Sequence, residues 1–196
     1  MGKNLTATMN IFILSLLTKK CAKQHIDAHV RKMIIEYAQL LSTAHRIIDG
    51  QEIVELSKSG RKTKRWVLDN DLNDVLYKST HVNHPCSIWL RESIVNYAWL
   101  YNLFVDLCKE YTYRFKKIHL TDSKLRDVLK NFPKNIPLRS FTPFPLAMPD
   151  KYKRGNCTTS YKLFYIGEKQ KMSNGKLMNF WTNRDQPRWI RPFIIN

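Results

Sequence analysis

The chain is short of acid. Its 33 lysines and arginines face only 16 aspartates and glutamates, a net charge of +17 over 196 residues. The excess is spread along the whole sequence. A field of that sign draws polyanions and holds polyphosphates by releasing their counterions. DNA is therefore the leading partner. An anionic membrane surface is the second class, but no basic amphipathic helix stands out for it. No apolar run reaches the ~18 residues of a membrane span. Asn, Ile and Lys are all frequent, so an AT-rich coding sequence could supply part of the charge without any function. Cysteine is also scarce: Cys21, Cys86, Cys108 and Cys157 are widely spaced and form no C-x-x-C pair. That argues against a thiolate zinc site and suits reduced thiols in a cytoplasmic protein. The P-loop, the dinucleotide G-x-G-x-x-G, the zinc-deaminase pair of motifs, the kinase set and G-x-S-x-G are all missing, which argues against the common ATP and NAD enzymes and against a nucleophile elbow. There is no internal repeat and no low-complexity tract.

What the chain does have is a long amphipathic segment at 23–48, KQHIDAHVRKMIIEYAQLLSTAHRII. On a helix of about 100° per residue, His25, His29, Lys32, Glu36, Gln39 and Thr43 fall within roughly 40° of one line. Ile26, Val30, Met33, Ile34, Tyr37, Leu40 and Leu41 flank them. An ordinary surface helix has one apolar stripe and a broad polar face. Here the ionisable row is narrow and bordered by apolar residues. Two readings follow: a polar groove inside a helical core, or simply the solvated side of the helix.

The rest of the chain arranges itself around that segment. Residues 1–8 form a loose leader, Met9 is a possible alternative start, and 9–196 make a single domain. Hydrophobic residues at 43 % and aromatics at 12 % are enough for a real core. Asn10 to Leu17 suggest a short buried strand or a helix start. Gly50 ends the first helix. QEIVEL and TKRWVL then flank a Gly-containing turn and predict an inserted β-hairpin over 51–68, whose Lys58, Arg61, Lys62, Lys64 and Arg65 could reach a phosphate backbone. A short helix is expected at 69–78. Pro85, with Asn83 or His84 as cap, opens a helix over 86–115. Its Trp89, Ser93, Asn96, Leu100, Leu103 and Leu107 share a face, so Ser93 and Asn96 look inward and need partners. The polar row of the first helix could supply them, or they could merely join two helices. Asp122 caps another short helix. Residues 132–153 hold five prolines together with Phe132, Phe141, Phe144, Leu146 and Met148. That mixture predicts an ordered proline-rich loop packed across the helices. A last helix runs from Thr158 or Thr159 to Met172, with Tyr161, Tyr165 and Lys169 on one face. The tail mixes arginines with aromatics, Arg188 and Trp189 among them, and suits either base stacking with phosphate contact or clamping on the core. The fold class expected is mainly α: a compact helical domain with one β-hairpin and one ordered proline-rich loop.

Three chemistries fit the spacing. His25 and His29 at i,i+4 could share a metal, completed by His81 and His84, but the pattern is not H-E-x-x-H, and neither a metal nor a cofactor is expected. Nucleophilic catalysis by Ser93 or a cysteine lacks its usual signature. The third use of the row is acid–base or amine chemistry, with Glu36 as general acid/base, Lys32 as amine and His25 and His29 beside them. Arg31, Arg91, Ser93, Asn96, Tyr161 and Lys169 would then bind substrate.

MNIFILS, HIDAHVRKMIIEYAQLLSTAH, HVNHPCSIWLRESIVNYAWL and TPFPLAMPDKY resemble the pattern of a family of small bacteriophage-encoded proteins, over most of the chain from Met9. The layout is also similar to the phage-type pyrimidine-dimer DNA glycosylases with AP-lyase activity, which are compact, helical and basic. Gln24-His25 followed by Arg31, the E-x-x-x-R of Glu110 and Arg114, and the aromatic basic end at Trp189 carry that similarity. It implies lesion chemistry on DNA in the cytoplasm of an infected host cell. That family uses the α-amine of its mature second residue, which would be Asn10 after a start at Met9; otherwise Gly2 or an internal lysine must serve. Its carboxylate follows its arginine directly, where this chain has Lys32, and Glu36 is the nearest carboxylate. The function expected is thus a glycosylase/lyase-like or base-modifying enzyme. A non-catalytic DNA-binding or host-inhibiting protein and an enzyme on free nucleotides are the alternatives.

Overall fold

A computed structural model of the chain describes residues 10–57, 59–169 and 180–190. Among them are seven α-helices and one two-stranded antiparallel hairpin, so the domain is mainly α. Helix α1 covers Thr18–Gln24 and α2 covers Asp27–Asp49. Strands β1 (Gln51–Leu56) and β2 (Lys62–Val67) pair in register from Gln51 opposite Val67 to Leu56 opposite Lys62. Helices α3 (Leu72–Val75), α4 (Pro85–Arg91), α5 (Ile94–Phe115), α6 (Leu120–Leu129) and α7 (Cys157–Phe164) follow. A 3-10 turn at Asp150–Tyr152 precedes α7, and a π-helical turn, Tyr165–Lys169, continues it. No helix among the described residues is long and apolar enough to cross a membrane.

The core is where α2 packs on α5, with α4 and α6 against α2 and α1 against α5. Ile34, Tyr37, Leu40 and Leu41 of α2 meet Leu100, Leu103, Phe104 and Leu107 of α5 in one cluster. Residues 10–14 are buried too, yet they form neither the strand nor the helix start expected of them.

Two long helices expected from periodicity are interrupted: the one expected over 23–48 near its start, and the one expected over 86–115 between α4 and α5. The first breaks at His25–Ile26, both extended. The second breaks at Ser93, also extended, where the hydroxyl accepts the Val95 N–H and caps α5. The residues on either side keep their helical spacing, so nothing in the apolar pattern marks the interruption. Histidine caps two helices: His84 Nδ1 accepts the Cys86 N–H at α4 and His119 Nδ1 accepts the Thr121 N–H at α6. Asp122 lies inside the first turn of α6 and pairs with Arg126 rather than capping it.

The break between α1 and α2 is held by Arg114 of α5, whose side chain has no exposed surface. It donates to the Lys23 and His25 carbonyls, to Asp27 Oδ1 at 2.9 Å and to Glu110 Oε1 at 2.8 Å. Glu110 also accepts two hydrogen bonds from Arg184, and Asp27 accepts the N–H and hydroxyl of Thr182. The C-terminal segment 180–190 is thereby stapled to α2 and α5. A second buried guanidinium, Arg46, donates only to neutral oxygens of Trp66, Asn73, Leu76 and Tyr77, and so ties the hairpin and α3 to α2.

Replacing Arg114 by Met leaves two buried carboxylates short of a cation. The expected loss is about 3–5 kcal/mol in urea unfolding. Arg114→Lys should recover little of it, because the fork geometry is gone. A loss below about 1 kcal/mol would show that the network is not the staple described.

Candidate functional site

The ionisable row of α2 divides into a buried and an exposed part. His25 is fully buried, and both its nitrogens are engaged. Nδ1 donates to the Cys21 carbonyl at 2.8 Å, and Nε2 accepts from the Tyr37 hydroxyl at 3.4 Å. Burial pushes its pKa down to about 4. It offers no free nitrogen to a substrate, which corrects the catalytic role expected of it. His29, 8 % exposed, stacks on Phe12 with ring centroids 5.0 Å apart. Its Nδ1 lies 2.7 Å from the Tyr165 hydroxyl, which also accepts the Ile26 N–H. The hydroxyl proton is available to Nδ1, and with it donated there the neutral imidazole has its own proton on Nε2. Burial, reinforced by His25, Lys32 and Lys169, holds His29 well below the usual imidazole range.

One and two turns further on, Lys32 and Glu36 form an ion pair of 3.1 Å, with their side chains 55 % and 14 % exposed. The row is therefore not shut away between two helices along its length, as the groove reading required. It emerges at the surface at Lys32, runs half-buried through Glu36 and Gln39, and is buried again at Thr43. What meets its exposed part is Lys169, at the end of the π-helical turn, close enough for its ammonium to feel both Lys32 and Glu36. Burial first, and then Lys32, lowers the Lys169 pKa, against the opposing carboxylates of Glu168 and Glu36. Its Nζ stands 4.9 Å over the Phe164 ring.

Lys169 and Phe164 line a cleft of about 640 Å³ together with His84, Pro85, Met148 and Pro149. That volume is within the range of about 300–1,000 Å³ typical of small-ligand sites. The walls come from the start of α4, the end of the proline-rich loop and the π-helical turn. A π turn inside a helix is an unusual geometry often found at functional sites. Here a specific contact accompanies it: Gly167 lies so close to the Tyr152 ring that a β-carbon would collide with it. The Tyr152 hydroxyl donates to Glu168 at 2.7 Å. His84 spends Nδ1 on its cap, its Nε2 has no partner among the described residues, and its pKa is lowered by burial and by His81. Among the described residues no group of three His, Cys, Asp or Glu is placed to hold a metal.

Several residues expected to bind substrate instead hold the proline-rich loop. Ser93 Oγ donates to the Arg139 carbonyl. Asn96 donates to the Trp89 carbonyl and Thr142 Oγ1 and accepts the Thr142 N–H. Tyr161, fully buried, donates to the Pro145 carbonyl and Asn10 Oδ1. These groups face loop backbone, not the polar row of α2. Arg91 is likewise committed, to Ser87 Oγ and the Val82 carbonyl.

The expected phosphate contacts scatter. Lys64 and Arg65 pair with Glu52 and Glu55 across the hairpin. Arg61 and Lys62 are exposed and have no acidic partner among the described residues, and Lys58 lies outside the described residues. Arg188 is exposed, while Trp189 packs edge-on against Tyr165 and under Lys162. A tighter array escaped the sequence reading. Arg31 lies 4.4 Å over Phe115, and Lys116 and Arg184 lie 5.0 and 3.8 Å over Tyr113. Phe115 and Tyr113 are neighbours at the end of α5, so cations and aromatic faces alternate there.

The histidines set an acid limit. His25 and His45 are both held down to about 4 by burial, and His29 is shifted the same way. Their folded values lie below the unfolded value of about 6.5, so the unfolded chain takes up protons first. Their stabilisation is complete above about pH 6.5 and is lost as pH falls toward 4, on the order of 3 kcal/mol for each of the two. Urea unfolding across that window should show the midpoint dropping steadily, with net proton uptake on unfolding. A flat profile would contradict the burial of these rings as neutral bases. In comparisons with known proteins, the chain matches no family model, no curated protein and no solved structure.

Proposed function

We propose that the cleft is the active site of a bacteriophage enzyme acting on a base in DNA in the cytoplasm of the infected host, by glycosylase/AP-lyase-like or base-modifying chemistry. The observation that carries this reading is an amine that lines a cleft and interacts electrostatically with a carboxylate and a neutral imidazole outside its lining, in a chain of net charge +17: Lys169 with Glu36 and His29. Phe164, Met148, Pro149 and Pro85 supply faces against which a base can lie. Glu36 is the general acid/base, and the Nε2–H of His29 is a donor for a leaving or reacting base. Lys32 neutralises a phosphate. Arg31 and Lys116, set among aromatic rings, together with Arg61, Lys62 and Arg188, hold the backbone of the nucleic acid.

The Lys32–Glu36 ion pair at the surface favours a second reading, a non-catalytic DNA-binding or host-inhibiting protein in which the pair is only a helix-face contact. The cleft volume also suits one free nucleotide. Glu36→Gln separates these. For the enzyme, turnover on lesion-containing duplex should fall at least about 100-fold while duplex affinity stays within about twofold, as measured by base release and by anisotropy. For the binding protein, there is no turnover to lose.

Duplex affinity should also fall with salt. The log–log slope should lose about 1 for each of Arg31→Ala and Lys116→Ala. A slope near zero for the unmodified chain would end the DNA reading.

A further inference from the structure

We infer that Lys169, rather than Lys32 or an amino-terminal amine, is the nucleophile of the cleft, and that its Nζ condenses with the aldehyde of a phosphorylated sugar. The inference rests on reading the cleft as an active site and names the group that reacts there. Three observations set Lys169 apart from other lysines. It lines the cleft, with its Nζ over the Phe164 ring. It has no carboxylate at ion-pair distance among the described residues, because both nearby carboxylates are engaged elsewhere. Glu168 takes Tyr152 at 2.7 Å and Lys151 at 3.0 Å, and Glu36 takes Lys32 at 3.1 Å. Finally, Lys32 is its cationic neighbour. A lysine partly removed from water beside a second cation loses its proton more readily than a solvated one; the lowered pKa of Lys169 has these two causes and holds against the Phe164 face, which favours the ammonium.

The other amines fit less well. Lys32 is about half exposed and paired. Asn10 is 2 % exposed, with its side chain bonded to Ala147, Cys86 and Tyr161 in the packed interior.

The ligand class follows from the neighbours. An aldehyde gives the amine a carbon to attack, and a phosphate on the same molecule gives Lys32 a partner. The Nζ lone pair of the neutral amine forms a bond to the aldehyde carbon, nitrogen gives up both its protons, and the aldehyde oxygen takes up two and leaves as water. One amine and one aldehyde yield one imine and one water, with no oxidant or reductant. The charged groups that set the protonation of Lys169 are Lys32 and Glu36 on α2 and Glu168 on its own turn; His84 at the start of α4 lines the same cleft, Lys151 on the 3-10 turn pairs with Glu168, and His29 is itself lowered by Lys169.

Pyridoxal 5′-phosphate, an aldehyde carrying a phosphate, tests the amine without any DNA. The full chain is treated with it at neutral pH and limiting ratio, reduced with borohydride and mapped by peptide mass spectrometry. Lys169 should be labelled about tenfold faster than the exposed lysines, with Lys169→Arg removing that label alone. A parallel arm replaces the probe with duplex DNA containing an abasic site. Adducts at Lys169 in both arms support the amine and the DNA reading together. Label at Lys169 from the probe with no DNA adduct upholds the amine and removes the DNA reading. Label distributed over lysines by exposure, or a DNA adduct mapped to Lys32 or to an amino-terminal residue, overturns the inference.

Discussion

The arrangement of this chain turns on the burial of one guanidinium. Removing Arg114 from water costs several kcal/mol unless its charge and all its donors are matched. The match comes from four places in the sequence: the Lys23 and His25 carbonyls at the end of α1, Asp27 at the start of α2, Glu110 one turn earlier on α5, and Arg184, which balances the second carboxylate. Because two of the acceptors are backbone carbonyls at the end of α1, the interruption of the helix at His25–Ile26 is part of the solution. The interruption in turn frees the Ile26 N–H, which donates to the Tyr165 hydroxyl. That hydroxyl then fixes His29. The position of the candidate site thus follows from a charge network on the opposite side of α2's first turn.

A second constraint is the proline-rich loop. A packed segment without regular structure carries many backbone groups that need partners. Asn96, Ser93, Trp89 and Tyr161 supply them from the helices and their caps, Asn10 from the buried stretch before α1, and the Asp49 carboxylate takes the N–H groups of Lys134 and Asn135. Polar side chains on apolar helix faces are therefore used up holding the loop in place. Open space is left where the loop's last residues, Met148 and Pro149, reach the π-helical turn.

This explains which parts were legible in the sequence. The helical class, the hairpin and the ordered loop follow from period, turn residues and apolar content, all local signals. The polar row on α2 was visible, and so was the need of Ser93 and Asn96 for partners. Which partners they take depends on a loop some 40 to 50 residues away, and spacing carries no information on that. The helix breaks were invisible because the apolar period runs on through His25 and Ser93. Tyr161, Tyr165 and Lys169 do fall at i+4 spacing, but the wider π turn carries Lys169 to the cleft while both tyrosines stay buried. Arg46 and Arg184 gave no signal, since an arginine satisfied by distant carbonyls or a distant carboxylate reads as one more surface cation.

Lys32 and Lys169 lie near each other, and in a chain of net charge +17 each added like-charge contact works against the compact state. Glu36 offsets only part of this, since it pairs with Lys32 and leaves Lys169 over an aromatic ring. The repulsion can be relieved in two ways. An anion can sit between the two ammonium groups, or one lysine can give up its proton. Lys32, half in water, keeps its charge easily; Lys169, partly buried in the cleft wall, is the one for which neutrality is the smaller cost. A molecule that brings both a phosphate and an electrophilic carbon satisfies both sites at once, and binding it removes a repulsion that the empty fold must carry.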